Sequence, residues 1–499
     1  MTTNLTSVLE IQAAQRPGQP ALVHGHGAAE RMITFGDLAA QVELAAAGWR
    51  AAGLRAGDPV LIFHPMSVDL YIALLGLMRG GMVAVFVDPT AGFKQLAHAR
   101  EKLPPKAILA SRLTSVLCRV LPALWGAGPV LTPAKLVRLG AAAPAELREV
   151  ADTTPDSSAL VTWTSGSTGR PKGIVRSHGF LLLQHRLLAK HLDLKPGEVD
   201  LTALPVFALA NLASGVTSVF LPGKAGKPAQ ADPQRLGEQI LKWKITRSAG
   251  SPALYERLAE GPPEAVRQMA AIYTGGAPVF PRLLQRLREL NRDLLLVCVY
   301  GSTEAEPIAH ADWEGPRAGG FGLYQGHRVE EVELAVIAEP AGDLSAEEFA
   351  KLRRPPGLPG EIVVAGEHVI HGYLNGVGDS ETKFRVDGRV WHRTGDAGYL
   401  DTDGGLWLLG RASALGAGEH RPEDYPFAVE VAAMESPEVE RAALIEHEGR
   451  RILFVQGTAG DVAGRLDWAR LDEVRVIDRI PLDRRHQAKV DYTALRKLT

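Results

Sequence analysis

The chain has 499 residues, enough for more than one domain and for a core that needs no covalent staples, which excludes the small disulfide scaffolds. Lys plus Arg number 55 against 57 Asp plus Glu, a formal net charge of −2. No global excess therefore draws the chain to nucleic-acid phosphates or to an anionic membrane, and only a local patch is left open. The two cysteines, Cys118 and Cys298, lack CxxC spacing and lie in apolar runs, so they read as buried reduced thiols, as in a reducing cytoplasm. The first ten residues lack the basic and apolar stretches of a signal peptide, which also predicts a cytoplasmic location.

Residues 59–65 (PVLIFHP) form a short β-rich run, residues 68–78 are helix-like, and residues 82–89 (MVAVFVDP) read as a second buried strand. Continuous Val/Ile/Leu runs alternating with helical spans predict α/β architecture with parallel or mixed sheets flanked by helices. The most apolar stretch, residues 71–87, is interrupted by Arg79, Gly80 and Gly81. It cannot supply the roughly 20 uninterrupted apolar residues of a transmembrane segment. Neither a repeat of fixed period nor a low-complexity tract occurs.

Residues 161–175 (VTWTSGSTGRPKGIV) begin as a β-branched strand and then concentrate Thr164, Ser165, Gly166, Ser167, Thr168 and Gly169 ahead of Lys172. Such a loop can turn hydroxyls and backbone N–H groups into one concavity, and its glycines let the backbone approach a polyphosphate. Lys172 adds a mobile positive charge. Pro171 stands where GxxxxGK[ST] needs its second glycine, so the loop is not a P-loop. Further on come GGAP at residues 275–278, YGSTE at 300–304, RTGDAGYLD at 393–401, LLGRAS around Arg411, and PLDRRHQAKVDY at 481–492. After Gly410-Arg411 the chain is short of large apolar residues and rich in Gly and charge, which marks a boundary. Strand-like stretches at 441–445 and 451–456 and a helical candidate at 466–472 then suffice for a small α+β domain. The predicted organisation is a large domain over residues 1–410 and a small one over residues 411–499.

The string TSGSTGRPKG, followed in order by the other motifs, resembles the adenylate-forming superfamily of acyl-CoA synthetases, luciferases and peptide-synthetase adenylation domains. The resemblance covers nearly the whole chain. It implies a large ATP- and acyl-binding domain with a mobile C-terminal lid, and ATP and Mg²⁺ as cofactors. The loop from Thr164 to Gly169 and Lys172 would hold phosphates, while Gly275, Gly276 and Ala277 would line the adenine pocket. Tyr300 would stack on the base, with Gly301 and Ser302 beside it, Thr303 would contact phosphate and Glu304 would ligate the metal. Asp396 is implied to hold the ribose, Arg411 to lie near the nucleotide, and Lys489 to be the adenylation lysine.

These residue types suit the chemistry. Carboxylate attack on the ATP α-phosphate joins two anions, so a catalyst must neutralise charge and hold the reactants in line. Lys489, the hydroxyl loop and a metal can do so. Glu304 is a hard oxygen ligand for Mg²⁺, and the two oxygens of Asp396 can accept both ribose hydroxyls. Retention of Lys172, Glu304, Asp396, Arg411 and Lys489 together argues against a catalytically silent binding protein on this fold.

Substrate class is read from residues 204–223 (LPVFALANLASGVTSVFLPG). Amino-acid-activating relatives carry an Asp after the Phe to pair the substrate ammonium, because an unpaired buried charge costs several kcal/mol. Here Phe207 is followed by Ala208. The segment reads either as the wall of an acyl groove or simply as buried helix and strand. Together with ADPQRL, GSPAL, WHRTGDAGYLD and PLDRRHQAKVDY it resembles the β-lactone synthetases of bacterial olefin biosynthesis. That resemblance implies a β-hydroxy fatty acid activated as its adenylate and then closed by its own hydroxyl, with olefin-pathway enzymes supplying the acid and consuming the lactone. His178 and His392 are candidate bases for the hydroxyl. Relatives commonly carry Asp or Lys where Ser413 stands, and residues 416–430 match the family's thiol-presenting loop poorly. Both departures weaken the alternative, a long-chain acyl-CoA or acyl-AMP ligase.

Overall fold

The computed structural model describes residues 3–87, 92–121, 124–164, 171–222, 228–317, 319–339, 342–415, 418–483 and 488–499. The chain divides into two compact units. The first comprises Met1–Gly226, Glu238–Ala249 and Gly372–Gly378, and the second Lys227–Gly237, Gly250–His371 and Asp379–Thr499.

In the first unit, a six-stranded sheet runs in the order Val130–Leu131, Ala107–Ala110, Pro59–Phe63, Val83–Phe86, Ser158–Thr164 and Lys172–Ser177. Every pairing is parallel except the last. The parallel expectation thus holds. The apolar runs are buried because helices cover the sheet, as Ala107–Ala110 shows with all four residues inside. Helix Val68–Arg79 starts where Ser67 Oγ accepts the Leu70 N–H at 3.2 Å. Helices Phe35–Ala51 and Pro133–Ala141 approach closely through glycine: a Cβ on Gly140 would lie 1.8 Å from the Leu44 carbonyl oxygen. The same unit carries Val199–Thr202, Thr217–Phe220 and Pro20–His24 in parallel, with Arg31–Thr34 antiparallel at the edge. Helix Pro205–Ser214 connects the first two and ends on Gly215 at φ 71°.

The second unit is mostly antiparallel. Its sheet runs Glu333–Ile337, Gly360–Ala365, Arg389–Leu400, Leu406–Arg411, Leu323–Arg328, Ala305–Asp312, Leu295–Ser302 and Ala271–Gly275. Only the last pair is parallel. Strands Val439–His447, Arg450–Gly457 and Glu473–Ile477 form a separate three-stranded sheet. The two strand-like stretches read from the sequence are therefore present and longer than predicted. The helix anticipated at 466–472 is shorter. A turn of helix at Val462–Arg465 passes into the 3₁₀ segment Asp467–Ala469 and stops at Arg470, whose φ of 50° no helix continues through.

Both cysteines are buried and free, and burial pushes the Cys298 thiol up to about 12. Among the described residues, no helix is long and apolar enough to cross a membrane.

Candidate active site

Strand Arg389–Leu400 cannot keep register with Gly360–Ala365: the pairing slips between Glu361 and Val363, and residues 394–396 bulge out of the ladder. Gly395 makes the bulge feasible, since its φ of 71° is open to glycine at no steric cost. Side chains pin it. Thr394 Oγ1 donates to the Ile362 carbonyl at 2.8 Å and accepts the Asp396 N–H at 3.1 Å, while Glu361 accepts from Gly395 N–H at 3.2 Å and from Arg393 Nε at 2.8 Å. The consequence is a carboxylate held in one direction. Asp396 Oδ2 accepts the Tyr300 hydroxyl at 2.9 Å, and Oδ1 accepts Arg411 Nη1 at 3.0 Å. Burial first, and the neighbouring Asp396 carboxylate second, raise the Tyr300 phenol well above its ordinary value, so it remains a neutral donor. A carboxylate offers about four lone-pair sites, so Asp396 keeps acceptor capacity for a diol while two protein donors fix its orientation.

Tyr300 lies on strand Leu295–Ser302, which turns into Ala305–Asp312 with Ser302 opposite Ala305, leaving Thr303 and Glu304 as a two-residue hairpin turn. Thr303 is exposed and Glu304 half-buried. The turn is fixed from both sides: Glu304 N–H donates to Ser302 Oγ at 3.3 Å, and its carbonyl accepts the Ile370 N–H at 2.7 Å. Gly275 pairs with Val299 beside Tyr300, and a Cβ there would lie 2.2 Å from the Val299 carbonyl oxygen. Gly276 follows at φ 76° with open space around it. The structure thus brings Tyr300, Asp396 and Arg411 into direct contact, with Gly275 and the Thr303-Glu304 turn on adjoining backbone.

The first unit holds Lys172, Phe207 and Ala208. The mobile charge anticipated for Lys172 is instead a buried one, 2% exposed, because the segment Gly372–Gly378 lies over it. Its Nζ sits 5.3 Å from the centre of the Tyr373 ring, and a Cβ on Gly378 would come within 2.4 Å of its Cε. Neither Tyr373 nor Gly378 was legible as a partner, since both lie about two hundred residues from Lys172 along the chain. Of the hydroxyl loop, Ser165, Gly166, Ser167, Thr168 and Gly169 lie outside the described residues, and Thr164 is described by its backbone as the partner of Lys172. Phe207 and Ala208 are both buried. The same helix lines an apolar pocket with Val206, Leu209, Ala210 and Ala213, opposite Leu9 and Leu181.

Lys489 is exposed, and its backbone is tied to Asp483: its N–H donates to Asp483 Oδ1 at 2.9 Å and its carbonyl accepts the Asp483 N–H at 2.8 Å. Of the candidate bases, His178 is fully buried, accepts the Leu5 N–H on Nδ1 at 3.1 Å, and is pushed by burial down to about 4. Those features commit it to anchoring the N-terminal segment. His392 is also buried, with Nδ1 3.2 Å from the Thr382 carbonyl. Among the described residues, no group of three His, Cys, Asp or Glu side chains could hold a metal by itself. A single half-buried carboxylate at Glu304 fits a cation such as Mg²⁺ that keeps its waters and takes substrate phosphates as further ligands, and does not fit an all-protein cage.

Residues 9–374 match the family described as AMP-binding enzyme. The chain belongs to that family. It is similar to the olefin beta-lactone synthetase of Xanthomonas campestris pv. campestris, 32% identical over 488 residues that cover 89% of this chain and 85% of the relative. The protein of the same description from Stenotrophomonas maltophilia is 32% identical over 80% of this chain and 76% of its own. The feruloyl-CoA synthase of an Amycolatopsis species is 30% identical over 87% and 84%. ATP-bound MatB from Rhodopseudomonas palustris shares the fold, with a TM-score of 0.80 over 100% of this chain and 99% of its own at 24% identity. This AMP-binding enzyme is an adenylate-forming ligase, as its motifs implied.

Proposed function

We propose that this AMP-binding enzyme condenses a β-hydroxy fatty acid with ATP to give the acyl adenylate and pyrophosphate, and then closes the adenylate to a β-lactone. In the second step the β-hydroxyl oxygen bonds to the acyl carbon, the acyl–phosphate bond breaks, AMP departs and the hydroxyl proton leaves to a base. Tethering nucleophile and electrophile in one molecule supplies a high effective molarity that offsets part of the ring strain. The observation that carries this reading is the similarity to two olefin beta-lactone synthetases over most of the chain. The buried Ala208 supports it, because an α-ammonium group would find no carboxylate at that position.

In this reading Asp396 holds the ribose diol, with Tyr300 and Arg411 keeping its oxygens aligned. Lys172 and the loop from Thr164 to Gly169 hold phosphate, and Lys489 neutralises the charge that develops between carboxylate and α-phosphate. Mg²⁺ held by Glu304 would supply further neutralisation of the phosphates. Phe207 and Ala208, on helix Pro205–Ser214, are assigned to the wall of the acyl site. The small domain is assigned to residues 411–499, and olefin-pathway enzymes are the proposed neighbours in metabolism.

The feruloyl-CoA synthase similarity favours a second reading, transfer of the acyl group to coenzyme A. One assay separates them. With a β-hydroxy fatty acid and Mg·ATP, the enzyme should release AMP, pyrophosphate and β-lactone at a rate coenzyme A does not change, and an acid of equal length without the hydroxyl should give little AMP. Thioester from both acids and lactone from neither would install the ligase reading.

A further inference from the structure

Helix Arg112–Val120 begins with a reciprocal cap, in which Ser111 Oγ accepts the Thr114 N–H at 3.1 Å and Thr114 Oγ1 accepts the Ser111 N–H at 2.8 Å. Its inner side is anchored, since Thr114 Oγ1 donates to the Phe63 carbonyl at 2.6 Å and Cys118 is buried. Its outer side is apolar and open to water. Leu113, Val116, Leu117 and Val120 are 78, 57, 42 and 62% exposed, and their i, i+3, i+4, i+7 spacing lays them in one stripe. Trp125 follows at 59% exposed, its carbonyl held by Arg100 Nη2 at 2.7 Å. Of the fourteen exposed large apolar side chains among the described residues, these five are consecutive along the chain and the rest are scattered.

Charge says what covers the stripe. Residues 92–140 contain eight Lys or Arg against one acid, Glu101, in a chain whose net charge is −2. Lys102, Lys106, Arg112, Lys135 and Arg138 are exposed. We infer that this stripe, with Trp125, is a docking surface for an anionic lipid bilayer: the apolar side chains enter the acyl boundary, Trp125 sits at the headgroups and the basic side chains meet lipid phosphates. A second copy of the chain is the less favourable occupant, because pairing two such faces would oppose two strongly basic segments. The assignment is independent of the proposed reaction, since none of the residues given a role in it lies in this segment.

Sedimentation of the full chain with vesicles of phosphatidylcholine, alone or mixed equally with phosphatidylglycerol, tests it. Binding should be about tenfold or more stronger on the anionic vesicles and should weaken with salt. Leu113→Gln with Val120→Gln should cut that binding about tenfold while circular dichroism and the unfolding temperature stay put, because both side chains already face water. Lys106→Glu with Arg112→Glu and Lys135→Glu should abolish the anionic preference. Equal binding to both vesicles, no binding to either, or full binding by the Leu113/Val120 variant would overturn the inference. So would a self-association that the same variant abolishes, since the stripe would then be a contact between copies.

Discussion

In the proposed reaction Asp396 receives a ribose diol, a task that gains nothing from a carboxylate free to rotate, and Asp396 is not free. Tyr300 and Arg411 each take one oxygen, and the bulge at Gly395 decides where the pair points. This separates two contributions that substitution can read independently. Asp396→Ala removes the acceptor and should weaken ATP binding by about 2–3 kcal/mol, the range for charge-assisted hydrogen bonds to a buried ligand. Tyr300→Phe leaves the acceptor but releases one of its restraints, and should cost about 1 kcal/mol, the net value of one hydrogen bond. Calorimetric titration of ATP checks both. Unchanged affinity in Asp396→Ala, coupled to a large fall in unfolding temperature, would make Asp396 a structural residue of the bulge.

At the scale of an element, helix Pro426–Met434 carries an acid whose surroundings work against its charge. Glu430 is fully buried, and burial raises its carboxyl to about 7 even though Oε1 accepts the Leu444 N–H and the Tyr492 hydroxyl, each at 3.0 Å. The folded state therefore keeps a proton that the unfolded chain gives up near its ordinary carboxyl value. Stability should be highest below that value, fall as pH rises towards 7, and stay reduced above it. Glu430→Gln retains an acceptor for both donors and carries no charge, so it should flatten this slope and raise stability at pH 8 by on the order of 2–3 kcal/mol, with little change at pH 4. Denaturant unfolding at the two pH values measures it, and a variant with the parent's slope would place the titration elsewhere.

Elements of this kind also mark what could be read in advance. The strands at Pro59–Phe63 and Val83–Phe86 and the helix at Val68–Arg79 follow from apolar runs, which are local in sequence. The motif residues were legible because their types and spacing carry chemistry: Tyr300, Asp396 and Arg411 meet in one cluster. The bond from Tyr300 to Asp396 was not legible, since it joins strands about a hundred residues apart and depends on a register slip at Glu361 that no short window shows. Lys172 makes the same point. Its burial is caused by Tyr373 and Gly378, roughly two hundred residues downstream, so a window around TSGSTGRPKG predicts a mobile charge where the folded chain encloses one.

For the molecule as a whole, the proposed reaction divides binding of nucleotide and chemistry on it between different stretches of chain, with ribose contact in residues 300–411 and charge neutralisation at Lys489. Ligand linkage makes that division measurable, because any ATP bound to the folded state raises the unfolding temperature according to its affinity. Lys489→Ala should show nearly the parental rise with ATP while its pyrophosphate release falls by roughly 10²-fold or more, about 3 kcal/mol, as for loss of one electrostatic donor at a transition state. Asp396→Ala should show the reverse emphasis, a diminished rise and a loss of activity recovered in part at high ATP. If the two side chains act on separate parts of the nucleotide, the double variant's loss in kcat/KM should equal the sum of the single losses within about 0.5 kcal/mol. A Lys489→Ala enzyme that releases pyrophosphate within a few-fold of the parent would remove Lys489 from the adenylation step. A double variant no worse than Asp396→Ala alone would show that the lysine acts only after the ribose is held.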